Sequence, residues 1–192
     1  MKKTIILVLT VFIISCQSNK EKDASAESHN HTESKTVTNA GASKSPHTST
    51  MATIGGAHIH IDYSSPRVRN RIIFGGLLAY DEVWQAGAHM ATWVETSKDL
   101  TISGWVLPKG KYGFFLIPGK GEWTVIFNKN WNQHGKDDYN PDEDVLRFNI
   151  NPEITGDIKE ELEYKIHKTN EREGTISLEW EQVVISFPFV VN

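Results

Sequence analysis

The sequence predicts an all-β protein: a single β-sandwich or jelly-roll-like domain behind a disordered, lipid-anchored tether. Three features carry this prediction. Short runs alternate apolar and polar side chains with period two, as a half-buried strand requires. Turns bearing proline or glycine separate those runs at short intervals. Stretches with helical periodicity are few, and strands at this spacing close into sandwiches or barrels.

The N-terminal elements come first. Lys2 and Lys3 precede an apolar run from Ile5 to Ile14 that only Thr10 interrupts. A hydrocarbon core takes ~20 apolar residues, so this run reads as the h-region of a signal peptide and not as a span. Ile13-Ile14-Ser15-Cys16 resembles a bacterial lipobox, which implies cleavage before Cys16 and its acylation. Residues 1–15 are therefore expected to be a lipoprotein signal peptide and residues 16–50 a lipidated, disordered tether. The tether is rich in Ser, Thr, Asn, Lys, Glu and His, and Val37 is its only large apolar residue. Such a segment cannot bury enough apolar area to offset chain entropy. Its charged start at residues 17–23 resembles the export signal of surface lipoproteins in Bacteroidota. The expected location is the cell envelope, at the outer membrane, on its periplasmic or surface face, with the lipid as the contact to the bilayer.

The globular domain is expected over residues 51–192. Residues 57–63 alternate as a strand that Ser65-Pro66 ends. Residues 72–78 are apolar with a Gly75-Gly76 break, and residues 80–88 read as a short helix or a loop. Residues 92–96 and 100–107 alternate around Ser97-Lys98-Asp99. After the turn Pro108-Lys109-Gly110 come strands at 112–117 and 123–128, joined by Pro118-Gly119-Lys120-Gly121. Residues 129–144 are Asn- and Asp-rich and read as a long loop. Strands at 145–150, 161–167, 175–180 and 183–191 complete the domain, with 170–174 as a hairpin connection. About 140 residues fit one domain.

Composition narrows the chemistry. The net charge is −4 and no basic stripe exists, which argues against nucleic acid as a partner. Cys16 is the only cysteine. With lipid on that residue no free thiol is left, and thiolate zinc sites, iron–sulfur clusters and His₂Cys copper centres are excluded.

Several separate blocks then resemble one family. These are Ile61-Asp62-Tyr63-Ser64-Ser65-Pro66, Arg71-Ile72-Ile73-Phe74-Gly75-Gly76-Leu77, Glu82-Val83-Trp84 with Gly87-Ala88 and Ala91-Thr92, and Leu107-Pro108-Lys109-Gly110-Lys111-Tyr112. Ile117-Pro118-Gly119, the run from Glu122 to Asn128 and Asp144-Val145-Leu146-Arg147 continue the match. Together they resemble DUF2911, a domain family of unknown function found in exported proteins and lipoproteins of Bacteroidota. The resemblance covers residues 55–192 and implies an exported β-rich domain, with no activity attached. Against the family pattern, His89 replaces Asn or Asp, Met90 replaces Glu, His134 replaces Trp and Gln85 stands in place of Arg. His58 and His60 occupy positions without a family histidine. Most of these departures are metal-ligand types.

The candidate chemistry follows from those residues. On a strand, side chains two apart share a face, so His58, His60 and Asp62 point one way while Ile59, Ile61 and Tyr63 point into the core. Two imidazoles at that spacing can chelate one ion at ~2.0–2.1 Å per bond, or can be two solvated residues on an outer face. His89-Met90 pairs an imidazole with a thioether, a soft combination that favours copper, although methionines mostly pack cores. His134 lies in a loop that follows a strand. The expectation is that His58, His60 and His89, completed by His134 or Met90, converge on one copper ion, with zinc as the alternative. The tether residues His29, His31 and His47 supply transient ligands. A capture, delivery or redox role follows from such a centre.

Two other functions remain open at this level. A non-catalytic ligand- or glycan-binding module is one, since Trp93 and Trp105 belong to a set of six tryptophans. A metalloenzyme is the other. Its cupin version lacks the glutamate that should follow the two histidines, because Ser64 and Ser65 stand there. No nucleophile elbow, HExxH or phosphate loop is present, which leans against an enzyme.

Overall fold

The computed structural model describes residues 43–192. The expected signal peptide, the acylated Cys16 and the tether up to residue 42 lie outside the described residues.

The chain begins with a hairpin. β1 (His47–Ile54) and β2 (Ala57–Ser64) pair antiparallel, with Ile54 opposite Ala57. Gly55 and Gly56 form the two-residue turn at φ 58° and 74°. Both angles are left-handed, the condition a type I′ turn imposes and glycine meets without strain. β1 corrects one sequence expectation: residues 47–50, assigned to the tether, are the first half of a strand. The run His47-Thr48-Ser49-Thr50 is too polar to register as one. It is an edge strand whose side chains are mostly open to water, so the β-branched threonines rather than apolar bulk carry its strand preference.

The middle of the chain follows expectation with one change, the split of 100–107, and residues 80–88 take the loop form of the two expected. β3 (Trp93–Thr96), β6 (Gly110–Ile117) and β7 (Trp123–Asn128) sit where alternation placed strands. The run 100–107 is two strands, β4 (Leu100–Ile102) and β5 (Trp105–Leu107), folded back at Ser103 and Gly104, both at positive φ. Residues 80–88 form turns and single bridges, and no helix. Trp84 bridges to Leu116 there, which fastens the segment to β6.

A single turn of 3₁₀ helix, Pro141–Glu143, leads into β8 (Asp144–Ile150). β9 (Glu153–Lys168) and β10 (Glu173–Val191) then form a long antiparallel pair. The two strands expected at 175–180 and 183–191 are one strand with a bulge at Glu181, whose φ is 55°. The pairing register shifts on both sides of that residue, which re-aims the strand without ending it.

Two antiparallel sheets result, in the order β1-β2-β3-β6-β7-β8 and β5-β4-β10-β9. The all-β sandwich expected from the sequence is thus the observed fold. The core lies between the sheets. Ile59, Ile61, Val94, Phe114 and Phe127 come from the first, and Ile102, Leu178, Trp180, Phe187 and Phe189 from the second, all buried. A smaller apolar cluster of Ala91, Phe115 and Ile126 sits on the outer side of β6 and β7, backed by Val83 and Tyr139 from the adjoining segments. Those segments cover one half of the outer surface of the six-stranded sheet. The half made by β1, β2 and β3 stays open.

Candidate functional site

The open half is where the histidines stand. In β2, Ile59 and Ile61 are fully buried while His58 is exposed and His60 and Asp62 are half-buried. The period-two alternation therefore sets the two imidazoles side by side on the outer face, with ring centroids 6.2 Å apart and planes tilted by 52°. Each is flanked by its cross-strand partners. Thr53 of β1 lies opposite His58, and Met51 opposite His60. On the other side, Glu95 of β3 lies opposite His60, and Trp93 opposite Asp62.

His60 is the more enclosed of the pair. The Trp93 ring meets it edge to face at 4.8 Å and 79°. Its Nε2 is shielded from water and has no hydrogen-bond partner among the described residues. A buried polar atom left unpaired costs about 1–3 kcal/mol, so the placement of this nitrogen works against the fold.

Beyond His60, toward Ser64, the open face becomes a pocket of about 210 Å³. Its walls include Asp62, His47, Trp93, Met90, Trp131 and Asn132. His47 Nε2 bonds Asp62 Oδ1 at 2.8 Å, tying the start of β1 across to β2. The Lys111 ammonium sits over two indole faces at once, 3.4 Å from the Trp93 ring centre and 3.7 Å from that of Trp131. Trp131 reaches this position because Gly113 beneath it has no side chain. A Cβ there would stand 3.2 Å from the Trp131 Cα and 2.8 Å from the Asn130 carbonyl oxygen.

His89 and His134 lie elsewhere, and Met90 reaches the face only in the pocket at the Ser64 end, with Asp62 and Trp93, which corrects the single-centre expectation. The Ala88 amide donates to the Ser64 carbonyl at 3.2 Å, which sets residues 88–90 at the far end of β2. At ~3.3 Å per residue, His60 and His58 are about 13 and 20 Å back along that strand. His89 is exposed at φ 62°, and its carbonyl accepts from the Gly135 amide at 2.7 Å. It borders a different pocket, with Arg71, Trp84 and Trp180. Met90 is half exposed and bridges to His134, so those two side chains share a side. His134 Nδ1 lies 3.2 Å from Asp137 Oδ2. Among the described residues, no group of three or more His, Cys, Asp or Glu side chains is close enough to share an ion. The structure thus sets His58, His60 and Met51 apart from His89 and His134, with Met90 on the wall of the pocket it shares with Asp62 and Trp93, in place of one three-imidazole centre.

Trp105 and Trp93 likewise do not form a platform. Trp105 is on β5 of the four-stranded sheet, and Trp93 is on β3 of the other. Met51, Lys111 and Trp131 were not among the sequence candidates. The signal for Met51 was the Gly55-Gly56 pair, which fixes a tight hairpin and so the residues facing His58 and His60.

The arrangement defines a class: an antiparallel β-sandwich whose outer face carries a histidine pair beside an aromatic-walled pocket. The chain belongs to DUF2911, described as a protein of unknown function, whose family model matches residues 45–189. No curated protein and no solved structure matches the chain.

Proposed function

We propose that the domain binds a transition metal, copper in the first place, through His58 and His60, as a lipid-anchored envelope protein that captures or delivers the ion. One observation carries the reading. Two imidazoles stand adjacent on an open sheet face at 6.2 Å, and one of them holds a shielded nitrogen with no partner. Neutral imidazole is the commonest protein ligand for copper and zinc, and coordination would satisfy the orphaned atom. An open face admits a bulky donor such as a metal chelate or a carrier protein, which suits capture and exchange better than storage.

The test is metal analysis of the full chain, purified without a histidine tag, beside the His58→Ala/His60→Ala variant. The expected result is one equivalent of copper lost in the variant with the β-sheet circular dichroism signal retained, because neither ring is part of the core. If the variant retains that equivalent, the pair is not the site.

A non-catalytic ligand-binding module is the second reading, favoured by the pocket of Trp93, Trp131, Asp62 and Asn132. It ranks second because Lys111 already occupies the indole faces that a sugar ring would stack on. Glycan-array binding that survives the double histidine variant and disappears in Trp131→Ala would favour it.

A further inference from the structure

Resting on the metal reading above, we infer that Met51 is the third ligand of the His58/His60 centre and makes it selective for Cu(I). Three independent features of the face lead there.

The first is register. Met51 is the residue directly opposite His60 in the β1–β2 ladder. Opposed residues of an antiparallel pair share a face with Cβ atoms about 4.5–5.5 Å apart. A thioether on a flexible three-bond stem reaches a metal held by the facing imidazole.

The second is exposure. Methionine is an apolar gap-filler, yet Met51 is 58% exposed. The apolar packing of β1 is done by the neighbours on its inner side, Ala52 and Ile54. Met51 therefore has no core role to account for it.

The third is the charge the surroundings accept. The ion would sit beside the Trp93 ring and the shielded edge of His60, a partly dehydrated position. The cost of removing an ion from water rises steeply with its charge, so a monocation is favoured over a dication. Lys111, held over Trp93, offsets the Glu95 carboxylate that lies opposite both Lys111 and His60, so the face offers little net negative charge to favour a dication. Neither hard ligand near His60, Glu95 opposite it or Asp62 two residues along β2, forms a group of three with the two imidazoles. The third donor is then a soft sulfur, and two imidazoles with a thioether suit Cu(I) over Zn(II).

The experiment titrates the full chain anaerobically with Cu(I) against a chromogenic Cu(I) chelator, and separately with Zn(II). Wild type, Met51→Leu and Met51→His are compared. Met51→Leu is expected to lower Cu(I) affinity by at least about tenfold, the loss of roughly 1.4 kcal/mol of binding, with Zn(II) affinity unchanged. Met51→His is expected to raise Zn(II) affinity, since it supplies a third imidazole. Retention of full Cu(I) affinity in Met51→Leu overturns the inference and leaves the histidine pair as the site. Wild-type protein that binds Zn(II) more tightly than Cu(I) also overturns it. Loss of neither ion in the double histidine variant overturns the metal reading itself. Leucine at an exposed edge position keeps the hairpin, and circular dichroism of each variant verifies that.

Discussion

At the scale of single residues, one phenol, Tyr139, is among the groups that fasten the loop carrying Trp131 and His134. The Tyr139 hydroxyl donates to Asp144, with oxygens at 2.9 and 3.1 Å, and its ring packs on Phe115 at 5.1 Å. Burial, and then the hydrogen bond to the Asp144 carboxylate, push its pKa from 10.0 up to about 12. A raised folded-state pKa means the neutral phenol is the form the fold holds. Its contribution is complete below pH 10 and is lost as pH rises through about 12. Tyr139→Phe should cost about 1–2 kcal/mol near neutrality, for loss of a hydrogen bond to a charged acceptor. Urea denaturation at about pH 8 and about pH 11 should show the gap between wild type and variant narrowing at the higher pH. A constant gap would remove the phenol–carboxylate bond from the account.

At the scale of elements, strands with one wet face were legible in the sequence and those without that contrast were not. Residues 57–63 alternate because Ile59 and Ile61 pack inward while His58 and His60 face water. β1 lacked the signal because its inward residues include Thr48 and Thr50 instead of aliphatics. The bulge in β10 appeared in the sequence as a gap at 181–182, since Glu181 breaks the alternation while the backbone continues. What remained hidden was long-range placement. Periodicity says which way His89 and His134 could face, but not that the Ala88–Ser64 hydrogen bond sets them at the opposite end of β2 from His58. Gly113 gives a test at this scale. Gly113→Ala places a methyl against the Asn130 carbonyl oxygen, the Trp131 Cα and the Phe115 ring. Overpacking of this kind costs about 1–3 kcal/mol. The expected reading is a lower unfolding midpoint together with altered tryptophan fluorescence, as Trp131 is lifted from Lys111. An unchanged emission spectrum would mean that the loop seats by other contacts.

At the scale of the whole molecule, the boundary of the folded unit is the useful quantity. β1 contributes eight residues to the ladder with β2 and lies against β9 across the sandwich edge. A chain beginning at residue 51 would lose half of that strand and leave the N–H and C=O groups along part of β2 without partners. Such a free edge is a template for association with other chains. A chain beginning at residue 43 should be monomeric and fold cooperatively, whereas one beginning at residue 51 should unfold at a lower temperature and form larger species. Size-exclusion chromatography with light scattering separates these outcomes, and equal behaviour of the two chains would show that the first half of β1 is dispensable.

The Gly55-Gly56 turn has a consequence of its own. Side chains on a ladder switch sides with every single-residue slip, so the length of this two-glycine link decides which neighbour His60 meets. Lengthening the link by one residue would bring Ala52 or Thr50 to that place and turn the sulfur inward. If the face binds an ion as proposed, the donors that meet there depend on the length of this bend as well as on which residues the strands carry, so an insertion far from the face could alter its chemistry.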